Sequence, residues 1–169
     1  MREDHLEIER KFLIRYPDMT FLRKNADCTE IEQVYLRKGE DGASARVRRR
    51  GRSGSYMYTH TVKTRISDVS RVEMEHEITE AEYKAFLKEA DPDRSVIRKL
   101  RFCLEYREQL FEIDIFPFWT DRALMEIELE SENQDIFFPP EIQIVRELTA
   151  DRRYTNAAIA KCIPWEDIL

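Results

Sequence analysis

Arg71-Val-Glu-Met-Glu-His-Glu-Ile78 carries a charged side chain at every second position for four positions running. Successive side chains of a β-strand point to opposite faces, so Arg71, Glu73, Glu75 and Glu77 share one face while Val72, Met74 and Ile78 share the other. A helix would scatter this series around its circumference. The same alternation recurs upstream. Leu6 to Ile14 sets Glu7, Glu9 and Lys11 against Leu6, Ile8 and Phe12, with Arg10 as the one misfit, and Ala45 to Arg50 sets Arg46, Arg48 and Arg50 against Ala45 and Val47. Glu32 to Arg37, Tyr56 to Lys63, Val96 to Tyr106, Gln109 to Phe116 and Ala123 to Glu130 complete a set of eight expected strands, the last two carrying Glu112 with Asp114 and Glu126 with Glu128. Gly51 to Ser55 reads as a hairpin turn.

Helices are few. Thr79 followed by Glu82 forms a capping box, and Tyr83, Phe86, Leu87 and Ala90 continue at helical spacing until Asp91 and Pro92. A short helix over Asp18 to Ala26 and a terminal one from about Asp151 to Cys162, stopped by Pro164, are also expected, with a short polar segment at Val145 to Thr149 before it. Tyr83, Phe86 and Leu87 read as core. Phe137, Phe138 and Trp165 read as cover for an outer wall or as a subunit contact of a homodimer.

One charged strand face is ordinarily the solvated side of an antiparallel sheet. Here the faces carry same-sign pairs two residues apart: Glu7 with Glu9, Arg46 with Arg48, Glu73 with Glu75, Glu126 with Glu128. Like charges so close repel and cost stability unless an opposite charge lies between them. Carboxylate pairs therefore call for a cation. Arginine pairs call for an anion, and the planar guanidinium suits phosphate oxygens. If the strands close into a barrel, the inward faces converge on one cavity holding acids and bases together, with the apolar faces outward under the helices. The residues alone leave that closure conditional, and we expect an α+β chain forming one domain over residues 1–169.

Composition narrows the function further. Charged residues make up 37% of the chain, but 28 Lys and Arg stand against 34 Asp and Glu for a net charge of -6, which argues against a nucleic-acid grip. The arginines alternate with small aliphatics, without the interleaved aromatics of a single-strand-binding barrel. Cys28, Cys103 and Cys162 are odd in number and far apart, as reduced thiols would be. No stretch approaches the roughly 18 apolar residues of a membrane helix, and a cytoplasmic, membrane-free protein is expected. His60 and His76 fall on the strand faces opposite Lys63 and Glu75, and His5 lies at the terminus, so no histidine-centred site is assigned. Neither a phosphate loop nor a Gly-x-Ser-x-Gly elbow is present.

The ordered blocks resemble the CYTH, or triphosphate tunnel, family over roughly residues 6 to 160. Glu7-Ile-Glu-Arg-Lys11 resembles its opening Glu-x-Glu-x-Lys, and Arg46-Val-Arg48, Thr61-Val-Lys63 and the Arg71 to Glu77 block follow in order. Arg98-Lys-Leu-Arg101-Phe, Phe111-Glu-Ile-Asp114-Ile-Phe, Met125-Glu-Ile-Glu128-Leu and Glu147-Leu-Thr with Asp151 and Tyr154-Thr-Asn156 resemble the later blocks. The resemblance implies that the strands do close, as a closed eight-stranded antiparallel β-barrel with a charged interior and a few flanking helices. It also implies that Glu7, Glu9, Glu126 and Glu128, with Glu75 and Glu73 assisting, hold divalent cations, Mg2+ or Mn2+. It implies that Lys11, Arg46, Arg48, Lys63, Lys99 and Arg101 hold phosphates, and that Glu9, Lys99 and Tyr35 take part in catalysis, the last two as a water-activating pair. The implied reaction is hydrolysis of inorganic or organic triphosphate. A class IV adenylate cyclase and a non-catalytic polyphosphate or phosphoryl-ligand binding module are the alternatives. Val34 and Thr64 stand where glycines are frequent, and Phe102 replaces a usual tyrosine, which leaves open the placement of Tyr35 and a hydroxyl near Arg101.

Overall fold

The computed structural model describes residues 3–38 and 44–168, and side chains from residue 7 onward, so the side chains of His5 and Leu6 lie outside the described residues. Nine strands form: β1 (Glu3–Arg15), β2 (Ala26–Tyr35), β3 (Ser44–Arg52), β4 (Ser55–Arg65), β5 (Ser70–Ile78), β6 (Ile97–Tyr106), β7 (Gln109–Ile115), β8 (Arg122–Leu129) and β9 (Ile144–Glu147). The first eight lie in the order β5-β4-β3-β2-β6-β7-β8-β1, all antiparallel, and β1 pairs back onto β5 to close a barrel. β9 is an addition. On the edge of β1 opposite β8, β5 takes residues 3–8 and β9 takes residues 12–14. The segment read only as polar, Val145 to Thr149, overlaps this ninth strand.

Closure places every second residue inside. Outside, Phe12, Phe102, Phe111, Ile113, Met125 and Ile127 form one apolar cluster, covered by Leu22 of α1 (Met19–Asn25) and by Phe138 and Ile142 of the connection after β8. Burying each such side chain contributes about 1.5–3 kcal/mol. Val34, Val47 and Ile78 form a second cluster beneath Tyr83 and Phe86 of α2 (Glu80–Phe86), whose Thr79–Glu82 capping box is present as read. Leu87 is a correction: the chain tightens into a 3-10 turn at Leu87–Glu89, and Leu87 is 37% exposed.

A third cluster was not foreseen. Leu13, Tyr35, Ile97, Phe116 and Leu124 share the inward faces with the charged residues, and Trp119, Leu148, Tyr154 and Ile159 pack onto them. One end of the barrel is thus filled with apolar side chains and sealed by the C-terminal segment. That segment is not the continuous helix expected over Asp151 to Cys162. It breaks into a 3-10 turn, Arg152–Tyr154, and α3 (Asn156–Ile159), because Thr155 is extended and its hydroxyl caps the amide of Ala158. Trp165 reaches Trp119 edge-on but stays 65% exposed, and Phe137 is exposed while its neighbour Phe138 is not.

Local departures have local causes. β2 starts at Ala26 rather than Glu32, through a stretch with no apolar alternation, held by its pairing with β6. The β3–β4 turn is the two residues Ser53 and Gly54, at φ 54° and 81°, the mirror-image geometry that suits a twisted hairpin. Gly51 lies inside β3, where a Cβ would sit 2.0 Å from the Ser55 carbonyl oxygen. Arg10, the misfit in β1, points outward to Glu147 and over the Phe12 ring. All three cysteines are free thiols, and no helix of the described residues is long and apolar enough to cross a membrane.

Candidate active site

The inward faces of the strands and the C-terminal segment enclose a cavity of about 530 Å3. Its walls carry Glu7, Glu9 and Lys11 from β1, Arg46 and Arg48 from β3, Lys63 from β4, Glu73 and Glu75 from β5, Arg101 from β6, and Glu126 and Glu128 from β8, with Tyr35 from β2. Of the residues singled out in the sequence, these meet in one place. Lys99 does not reach the wall: its side chain is fully buried behind it, donating to Asp114 Oδ2 at 2.7 Å and to Asn156 Oδ1 at 3.1 Å.

Acids and bases interleave. Lys11 Nζ lies 3.1 Å from Glu126 Oε1 and donates to the Tyr154 carbonyl at 3.1 Å. Lys63 Nζ stands between Glu7 Oε2 at 3.6 Å and Glu73 Oε2 at 3.8 Å, and Arg71 reaches Glu9 at 3.2 Å. Arg101 is gripped by Asp114 through two hydrogen bonds of 2.8 and 2.9 Å and by Glu112 at 2.6 Å. Arg48 Nε donates to Gln33, whose own amide nitrogen donates to the Tyr35 hydroxyl, and Thr61 donates to Glu75.

Burial strains these pairings. Burial, with Arg46 and Arg101 alongside, draws the Arg48 guanidinium down to about 9, and burial and Arg46 also lower Lys63. Burial raises the Glu7 carboxyl to about 8 against the pull of Lys63, and burial with Glu126 nearby raises Glu9. Against the burial that would raise them, Glu126 and Asp114 are held well below the usual carboxylate range, Glu126 by Lys11 and Arg101 and Asp114 by Arg101 and Lys99. Burial draws Lys99 down to about 7 against the pull of Asp114. Glu7 Oε2 and Arg46 Nε are buried with no hydrogen-bond partner among the described residues. Each has an ion-pair neighbour, Lys63 for Glu7 and Glu73 for Arg46, but a buried polar atom with no hydrogen bond is costly unless a ligand completes it.

Among the described residues no three His, Cys, Asp or Glu side chains already form a metal-ligating group. The carboxylates are present as pairs, all oxygen donors, as hard divalent cations require. With the orphaned Glu7 oxygen and the raised Glu9, the donor set fits such a cation.

Alternation alone could have brought Arg50, Arg71, Glu112 and Asp114 into the reading, since all continue inward series. Ser44 and Ala157, which also line the cavity, carry no sequence signal, and Thr155 and Asn156 lie in a block that resembles the family but were given no role. His60 and His76 face each other outside the barrel, with His60 stacked on Phe86. Of the three departures noted in the sequence, Val34 and Phe102 lie in the outer clusters and leave Tyr35 on the cavity wall.

A model of the CYTH domain matches residues 5–154. An inorganic triphosphatase of Nitrosomonas europaea is 31% identical over 160 residues, covering 94% of this chain and 99% of the relative. One from Acetivibrio thermocellus is 34% identical over 156 residues, covering 92% and 93%. The crystal structure of an inorganic triphosphatase superposes with a TM-score of 0.59 at 30% identity, covering 94% of this chain and 97% of that one. A Pyrococcus horikoshii protein, TM-score 0.55 at 21% identity and covering 75% of this chain and 80% of its own, shares the fold.

Proposed function

This chain belongs to the CYTH domain family, and on that footing we propose that it is a triphosphatase that hydrolyses the terminal phosphate of inorganic triphosphate inside its barrel. The observation that carries the reading is the cavity wall itself, which gathers the bases Lys11, Arg46, Arg48, Lys63 and Arg101 and the acids Glu7, Glu9, Glu126 and Glu128 around one space. A triphosphate with divalent cations satisfies both at once.

Each residue then has a task set by its position. Lys11, Arg46, Arg48, Lys63 and Arg101 take the phosphate oxygens, and Arg46 Nε supplies a donor that no group among the described residues uses. Arg101 is aimed by Asp114 and Glu112, so its fork is set before substrate arrives. Glu7, Glu9, Glu126 and Glu128, with Glu75, hold Mg2+ or Mn2+, which when bound neutralises phosphate charge and lowers the pKa of a coordinated water. Glu9 lies beside Arg71 and Glu126 beside Lys11, and Tyr35 presents its hydroxyl from the sealed end. Lys99 stays behind the wall and steadies Asp114. Holding the three phosphates and the attacking oxygen in line among fixed charges is most of what phosphoryl transfer asks of a protein. Chemically, the apolar plug of the far end keeps bulk water from that side.

The test is phosphate release from inorganic triphosphate, ATP and thiamine triphosphate with Mg2+ or Mn2+, alongside an assay for cyclic AMP. Release from inorganic triphosphate without cyclic AMP is the expected result. Cyclic AMP with pyrophosphate, or tight triphosphate binding with no turnover, would overturn it.

A further inference from the structure

Lys99 of β6 and Asn156, the first residue of α3, meet at the sealed end of the cavity, where Lys99 Nζ donates to Asn156 Oδ1 at 3.1 Å. Paired with the Asp114 carboxylate at 2.7 Å, Lys99 stands as an ammonium, with three donors and no acceptor, so it meets only the carbonyl oxygen of an amide. The contact therefore decides which way round the Asn156 amide sits. Its oxygen is spent on Lys99, and its Nδ2 remains with two N–H groups and no protein acceptor among the described residues. Asn156 lines the cavity.

Its neighbours offer no substitute. The Thr155 hydroxyl accepts from the Ala158 amide at 3.1 Å and donates to the Arg152 carbonyl at 3.2 Å, and Ala157 has no polar side chain. Lys99 is fully buried and committed to Asp114 and Asn156. The amide nitrogen of Asn156 is thus the group of this segment with donors left for a ligand. A phosphate oxygen accepts and does not donate, so it is complementary to what is left.

We propose that Asn156 is a substrate-binding residue, donating from Nδ2 to a phosphate oxygen of bound triphosphate while Lys99 holds its oxygen. The C-terminal segment then supplies part of the site as well as its seal, and Lys99 acts on the substrate through Asn156. A neutral donor adds grip without adding charge. The inference rests on the triphosphate reading above.

The experiment compares the wild type with Asn156→Ala and Asn156→Asp by titration calorimetry with inorganic triphosphate in EDTA, and by turnover with Mg2+. Losing one hydrogen bond to a charged group weakens binding about tenfold or more. Asn156→Ala is expected to show that loss in both Kd and KM, with a smaller change in kcat. Asn156→Asp keeps a partner for Lys99 but turns an acceptor towards the polyanion, so it should bind more weakly still. Binding by Asn156→Ala within about twofold of wild type, or by Asn156→Asp at least as tight as by Asn156→Ala, overturns the proposal. Should the alanine variant fail to fold, the aspartate variant decides alone: wild-type affinity overturns, weaker binding supports. A wild type that neither binds nor hydrolyses triphosphate would sink the triphosphate reading itself, which keeps the two failures apart.

Discussion

Asp114→Asn is the sharpest test of how the cavity is held. The Asp114 side chain is 2% exposed and answers two buried cations, accepting 2.8 and 2.9 Å hydrogen bonds from Arg101 and one of 2.7 Å from Lys99, whose side chain is 0% exposed. Asparagine keeps the volume and removes the charge. Glu112 still serves Arg101 at 2.6 Å, but Lys99 is left with two neutral amides and no anion. Breaking a buried pair by removing one partner costs about 3–5 kcal/mol, because the remaining charge is stranded. For a chain of this length each kcal/mol lowers Tm by about 2–4 °C, so a drop of about 6–20 °C is expected. The assay is thermal and urea unfolding in EDTA, without phosphate, so that no ligand compensates. Adding Lys99→Met to Asp114→Asn removes the stranded ammonium and should restore part of the loss, giving a coupling of about 1 kcal/mol or more. A Tm for Asp114→Asn within about 2 °C of wild type, or a double variant that is the plain sum of its parts, would refute the reasoning.

Three further outcomes follow from the site. Arg48→Ala should raise the KM for inorganic triphosphate about tenfold to a hundredfold with little change in melting, since among the described residues Arg48 makes one hydrogen bond, to Gln33, and otherwise faces the cavity. Unchanged affinity in a less stable variant would make it structural. Glu126→Gln and Glu128→Gln should each abolish turnover while the melting curve still shows a folded barrel, and retained activity in either would remove that carboxylate from the cation-holding set. Glu7 predicts a pH dependence: burial raises its carboxyl to about 8 from 4.5, so between those values the folded chain keeps a proton that the unfolded chain has lost. Stability from the neutral form is present below the lower value and is lost as pH rises through the upper one. Without cations, Glu7→Gln should melt with wild type near pH 5 and above it near pH 9, and identical curves at both would contradict the assignment.

Much of the barrel was legible because a closed sheet with a polar interior writes its period of two directly into the charges. Glu7 and Glu9, Arg46 and Arg48, and Glu126 and Glu128 needed no other clue. Depth along the tunnel was not legible. Lys99 and Arg101 sit two residues apart on one inward face, yet only Arg101 reaches the cavity, because Asp114 and Asn156 hold Lys99 behind the wall. Leu13 and Leu124 continue charged series and could not be told from interruptions, although they floor the sealed end. The C-terminal segment defeated a helical reading because Thr155 caps the short α3 and so breaks the run, a choice made by its hydroxyl and not by hydrophobic spacing. Asn156 lay within a block that resembles the family, but its role was not legible, since a neutral amide looks the same in a turn and in a site.

The division of the β1 edge between β5 and β9 also bears on how the molecule is made. β1 is synthesised first, yet its partners β5, β8 and β9 all come later, with Glu9 waiting for Glu128. Pairing over such separations folds slowly, since the chain loses freedom before any contact repays it. Until β8 emerges from the ribosome, the first strand has one edge with no partner, and exposed edges invite other chains. A truncated chain ending before β8 would lack both the seam and Glu126 with Glu128, so the barrel cannot close before its last carboxylate pair has been made.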